Sequence, residues 1–217
     1  MKKILAICFL FYSTIAVAQL RFKSGADGFA NFLKLNTIYP PFSKNNCIQG
    51  ITEIRFKLDS EGKVYFSEIT KRIGTDLDEE ALRLIRMSSG EWLVPADYDT
   101  TTYVAVPVKF ALEGYGCERK SQAEINQAIN QYQVELSQIN TIENFYKNYA
   151  LAKTGQEQQI IALKTQLGID DDYLNEQIKI ALKKIKQGDN QGACEGFNFV
   201  KNMGSTLAND YLRKYCK

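Results

Sequence analysis

The sequence predicts an α+β fold followed by an all-α half, and three observations carry that prediction. Side chains alternate between apolar and polar over residues 52–58 and again over 104–112, the pattern of half-buried strands. A capped amphipathic stretch near residues 78–87 lies between them, and beyond Cys117 the apolar period is helical throughout. The length suits two domains, residues 19–117 and 118–217, behind a leader at 1–18.

The leader has the three parts of a secretory signal. Lys2 and Lys3 precede an apolar run over 4–17 that only Ser13 and Thr14 interrupt, and Ala16-Val17-Ala18 forms a small-residue exit before Gln19. The run is shorter than the roughly 20 residues a spanning helix needs, and no cationic flank follows Ala18. A lipid on Cys8 would leave only a few apolar residues ahead of it. Cleavage near Ala18 and export to the periplasm or cell surface are therefore expected. Loss of Lys2 and Lys3 from 27 basic residues leaves 25, equal to the 25 acidic ones. A neutral chain without a Lys/Arg block gives no electrostatic reason for a nucleic-acid partner, or for a membrane partner except indirectly.

Export also sets the cysteine chemistry. Four cysteines remain, Cys47, Cys117, Cys194 and Cys216, and an even count in an exported chain reads as two disulfides. Three pairings are open, and proximity favours Cys47 with Cys117 and Cys194 with Cys216. The first pair meets only if the first and third strands are antiparallel neighbours. If the third strand pairs antiparallel with the second instead, those cysteines fall at opposite ends.

The elements follow in order. Ile54, Phe56 and Leu58 alternate with Glu53, Arg55 and Lys57 in the first strand, and Asp59-Ser60-Glu61-Gly62 turns the chain into a second strand through Val64, Phe66 and Ile69. Asp78 is placed to cap the next helix, with Leu77 and Leu82 as a hydrophobic staple and Ala81, Leu82 and Ile85 facing inward. Ser88-Ser89-Gly90 ends it. In the third strand Val104, Val106, Val108, Phe110 and Leu112 alternate with Ala105, Pro107, Lys109 and Ala111. Pro107 cannot donate to a ladder, so this strand should have a free edge.

Together these residues resemble a known family. Tyr39-Pro40, Gly50, the strand ending Phe56-Lys57-Leu58-Asp59, Gly62-Lys63-Val64, the run from Leu77 through Asp78, Glu79, Glu80 and Ala81 to Leu82, Trp92 with Pro95, and Val106-Pro107-Val108-Lys109-Phe110 follow the order of TonB C-terminal domains over about 30–113. The resemblance implies a three-stranded antiparallel sheet with a helix, and recognition of a short peptide of an outer-membrane transporter by strand addition. Val104, Val106, Val108, Phe110 and Leu112 mark the strand that would receive it. The chain departs from TonB proper in having four prolines in all and no Pro-rich spacer, and in adding a helical half after the domain. An energy-transducing component of outer-membrane transport is the alternative reading, and it requires residues 4–17 to persist as an anchor.

The helical half opens with the capping box Ser121 and Glu124, and helices fit about 121–139, 141–153, 156–167, 171–187, 189–203 and 205–216. Ala181, Gly188, Ala193 and Phe197 resemble one tetratricopeptide-type helix pair over about 171–203. A repeat solenoid needs three or more such units, so a plain bundle is the expectation.

Catalytic parts are scarce. The chain has no histidine, which removes the commonest general base and metal ligand together, and it has no CxxC pair. Asp170, Asp171 and Asp172 suit a helix start better than a calcium loop. Glu79, Glu80 and Glu143 offer no catalytic pair, and Trp92, Tyr39, Tyr103 and Tyr115 read first as packing. No enzyme activity, cofactor or metal is expected. The expected partner is a peptide segment of an envelope or outer-membrane protein.

Overall fold

The computed structural model describes residues 20–149 and 155–216. The leader at 1–18 with Cys8, the cleavage point at Gln19 and the end of the helix expected at 141–153 lie outside the described residues.

The hairpin forms for the reasons its sequence suggests. The Asp59 carboxylate accepts from the N–H groups of Glu61 and Lys63, both at 2.9 Å, while Gly62 takes φ +76°. Gly62 is needed twice over, because a β-carbon there would run into the Trp92 carbonyl. β2 (Gly50–Leu58) and β3 (Val64–Lys71) thus pair antiparallel. β5 (Val104–Phe110) pairs antiparallel with the other side of β2, giving the order β3-β2-β5. A second, two-stranded piece joins β1 (Arg21–Phe22) to β4 (Trp92–Leu93).

Two irregularities in the β2–β3 ladder reset the side-chain faces. One shifts the register between Lys57 and Leu58, so that Phe66 stands opposite Lys57 and lies on the outer face of the sheet. Phe66 meets the Tyr103 ring edge-on there at 6.0 Å, and Arg55 and Lys57 each sit 4.4 Å from the centre of that ring. The inner face carries Ile54, Phe56, Leu58, Ile69 and Val108, which pack with α1 (Gly28–Asn36), α2 (Pro41–Asn45) and α3 (Asp76–Met87) around Trp92.

The start of α3 differs from the sequence expectation. Thr75, not Asp78, is the cap: it has extended backbone and its side chain accepts from Leu77 N–H. Asp78 points into the protein instead, where Oδ1 accepts from the Thr52 hydroxyl and Ile73 N–H, both at 2.9 Å, and Oδ2 from Gly74 N–H at 2.8 Å. The inward face is Leu77, Ala81, Leu84 and Ile85, with Leu82 only partly buried.

The helical half contains α4 (Gln122–Lys147), α5 (Gln156–Gln166), α6 (Asp171–Lys186), α7 (Asn190–Asn202) and α8 (Asn209–Tyr215). Ser121 and Glu124 form the capping box of α4. No break occurs near residue 140, where neither Gly nor Pro interrupts the run and Thr141 bonds back to the Ser137 carbonyl at 2.9 Å. The result is one helix of 26 residues, long enough to reach two cores. Its first turns place Ile125, Ala128 and Ile129 against the sheet domain, and its last turns place Ile139, Ile142, Phe145 and Tyr146 in a second core with Leu174, Phe197, Val200 and Met203.

Two disulfides tie the chain. Cys47 and Cys117 have Cα atoms 5.5 Å apart, brought together because Cys47 lies just before β2 and Cys117 just after its antiparallel neighbour β5. Cys194 on α7 and Cys216 after α8 lie 5.6 Å apart. Closing these loops restricts the unfolded chain, and the longer loop should matter more. We expect the Cys47→Ser/Cys117→Ser pair to lose about 4 kcal/mol of unfolding free energy and the Cys194→Ser/Cys216→Ser pair about 3 kcal/mol. Urea titration of both variants beside the parent checks the order as well as the size.

Candidate functional site

A three-stranded sheet has two edges, and the chain treats them differently. The β5 edge is governed by Pro107, which faces Glu53 across the ladder. A proline has no N–H, so this is a pair of the non-hydrogen-bonded kind, and by the period of two the backbone of Val104, Val106, Val108 and Phe110 bonds inward to β2. The backbone groups of Ala105, Pro107 and Lys109 therefore point away from the sheet. Among the described residues no hydrogen bond to those outward groups is present.

The strand marked in the sequence is thus divided in its roles. The side chains of Val108 and Phe110 are 1% and 2% exposed, and those of Val104 and Val106 pack partly against the same core. Leu112 lies beyond β5, 8% exposed, with its N–H donating to Gln49 Oε1 at 2.7 Å. What β5 offers to a partner is backbone, flanked on the outer face by the exposed side chains of Ala105, Pro107 and Lys109. Tyr39 closes the same end of the domain: it meets Phe110 edge-on, and its hydroxyl donates to the Ile48 carbonyl. Burial, and then the charge of Asp76, push the Tyr39 phenol up to about 12, so it stays a donor at neutral pH.

The β3 edge is occupied. Its Val64 N–H donates to Ser89 Oγ at 3.0 Å, and at Ser67 the carboxamide of Gln191, from α7, takes both backbone groups. Ser67 N–H donates to Gln191 Oε1 at 3.2 Å and Gln191 Nε2 donates to the Ser67 carbonyl at 3.0 Å. Beneath this contact lies Arg86, near the C-terminal end of α3 and only 6% exposed. Its Nη1 and Nη2 donate to the two Glu195 carboxylate oxygens at 2.8 and 2.7 Å, and its Nε donates to Ser67 Oγ at 2.9 Å. Asp189 approaches to 3.8 Å while it caps α7 by accepting from Gly192 N–H at 2.7 Å.

None of Arg86, Asp189, Gln191 or Glu195 was legible as a site in the sequence. Three of them lie on α7 or cap it and Arg86 lies on α3, more than a hundred residues earlier, so only the fold brings them to one strand. The other candidates resolve into structure. Trp92 is core, with its indole N–H donating to Ser88 Oγ at 2.9 Å, and Tyr115 and Tyr103 are exposed. Asp170 caps α6 by accepting from Tyr173 N–H at 2.9 Å, and Glu143 pairs with Lys147 at 2.7 Å. A groove of about 410 Å³ between α3 and α4 is lined by Asp78, Glu79 and Tyr132, but the Asp78 oxygens are already taken as described. Among the described residues no group of three or more potential ligands is set to hold a metal.

Residues 36–112 match the family described as Gram-negative bacterial TonB protein C-terminal. The sheet domain is TonB-C-like. Members of this family are protein-interaction domains without enzymatic activity that engage envelope or outer-membrane proteins. The match covers α2, β2, β3, α3, β4 and β5 and stops before α4, so the helical half lies outside it. No curated protein and no solved structure matches the chain.

The Arg86 cluster makes a measurable demand on its neighbours. A β-carbon on Gly192 would sit 2.8 Å from Arg86 Nη1 and closer still to Asp189 Oδ2. Arg86→Ala would strand Asp189, 2% exposed, without its cation. We expect Arg86→Ala to lose about 3 kcal/mol or more in urea unfolding, and Gly192→Ala to be destabilised in the same direction. A midpoint unchanged in both would show that the contact contributes little.

Proposed function

We propose that the chain is an exported interaction module of the cell envelope that binds an extended peptide segment of an envelope or outer-membrane protein by strand addition at β5. The observation that carries the reading is the open backbone edge of β5 in a TonB-C-like domain. An edge with outward N–H and C=O groups is a template for another strand, and main-chain pairing supplies affinity without demanding particular side chains. Ala105 and Lys109 each offer a donor and an acceptor, and Pro107 an acceptor alone. At about 1 kcal/mol net per bond, such an edge suits a reversible partner.

Export is supported by the leader pattern and by the two disulfides, which belong to oxidising compartments. The native protein is expected to begin at Gln19 and to carry no lipid. Mass spectrometry giving an intact Met1 or an acylated Cys8 would overturn that. No helix among the described residues is long and apolar enough to cross a membrane.

Strand addition is tested with a proline on the open side. Ala105→Pro removes an outward donor and no ladder bond, so the domain should keep its urea midpoint, whereas a partner strand loses a bond and meets a ring. Affinity capture from envelope extract with the parent, Ala105→Pro and Ala105→Thr should give a partner that the proline variant alone loses. Identical partners from all three would sink the edge mechanism.

A further inference from the structure

We propose that the helical half is an edge guard, with the Gln191 side chain standing in for a neighbouring strand on β3. The carboxamide of Gln191 presents one acceptor and one donor to the two backbone groups of Ser67, at 3.2 and 3.0 Å, which is the pairing that the C=O and N–H of one residue in an added antiparallel strand would make. A second contact on the same oxygen, from Ser67 Oγ at 3.1 Å, and one from Gln191 Nε2 to Glu195 at 3.1 Å fix the amide in that orientation. Arg86 holds the guard in place by gripping Glu195 with both terminal nitrogens and Ser67 with Nε. One guanidinium thus ties the edge strand, the helix behind it and the helix that covers it.

Three features set this apart from incidental packing. Gln191 lies in the first turn of α7, the turn that touches the strand. Gly192 follows it, and that position has no space for a β-carbon between Asp189 and Arg86, so close approach depends on glycine. The β5 edge has no such cover. The fold therefore closes one of two potential acceptor edges with its own side chain, and β3 becomes an acceptor for an extended peptide only when the Gln191 contact is released. This guard does not depend on β5 being used.

The test uses the full chain with the double variant Gln191→Ala/Glu195→Ala, and Gln191→Glu, which keeps the acceptor but sets an oxygen against the Ser67 carbonyl. The probe is a synthetic peptide copying residues 64–71. Backbone amide exchange at Ser67 should quicken by about tenfold in the double variant, and by less in Gln191→Glu, which keeps the acceptor, while Phe56, on the central strand, stays as slow as in the parent. With the peptide added, amide shifts should appear at Ser67 and Ile69 in the double variant and not in the parent. Unchanged exchange at Ser67, or faster exchange without peptide shifts on β3, overturns the guard. Shifts at Ala105 and Lys109 report the β5 reading separately, so absence of those alone leaves the guard standing and removes strand addition at β5.

Discussion

Arg86 is the charge on which the arrangement of the two halves depends. A guanidinium that is 6% exposed is tolerable only if its donors are used, and here Ser67, Glu195 and Asp189 surround it. Ser67 belongs to the sheet, Arg86 to the helix behind it, and the two carboxylates to α7. Removing the helical half would leave this cation facing water across a partly apolar wall. Arg86 thus makes the helical half a partner of the sheet half, which carries a charge whose counter-ions lie more than a hundred residues later in the chain.

α4 supports that coupling from the opposite side. Because it is one unbroken helix, the residues it gives to the first core and those it gives to the second are rigidly phased, Ala128 to Ile142 being 14 positions or nearly four turns. A hinge near residue 140 would have let the cores move independently. With α4 packed in both and α7 seated on β3, the halves are joined at two separate places, and Cys47–Cys117 anchors the segment that feeds into α4. Lys120 adds to this anchoring by donating to the Asn45 carbonyl at 3.1 Å.

The sheet half was legible because its elements are encoded locally. The Asp59–Gly62 turn, the alternation of Ile54, Phe56 and Leu58, and the Pro107 strand each depend on neighbours within a few residues, and the match over residues 36–112 rests on the same features. Errors arose where a competing local solution existed. Thr75 and Asp78 are both good caps, and only the need of Thr52, Ile73 and Gly74 for a buried acceptor decides that Asp78 turns inward. Phe66 reads as a core residue until the register shift beside Lys57 turns it outward. The contact of Gln191 with Ser67 spans 124 residues and joins a side chain to the backbone of a buried strand residue, and no periodicity or spacing rule reaches it.

The contrast between the two edges follows from what each must avoid. An open strand edge invites unwanted pairing, and proteins blunt it by proline, by charge or by cover. β3 is covered at Ser67, where one carboxamide takes the donor and the acceptor at once. β5 is only thinned: Pro107 deletes one donor in the middle of the edge but keeps its carbonyl, and Lys109 adds a charge beside it. A strand laid along β5 would find donors at Ala105 and Lys109 and none at Pro107, so a partner carbonyl aimed at that middle position would lose its hydrogen bond. Sliding the partner by two residues moves a different carbonyl into the gap without filling it. A partner with a bulge, or with access of water to that carbonyl, fits better than a straight strand, and two copies of β5 set edge to edge would confront each other with the same missing donor. Thinning by proline thus disfavours self-pairing while leaving enough of the edge for a partner shaped to the gap.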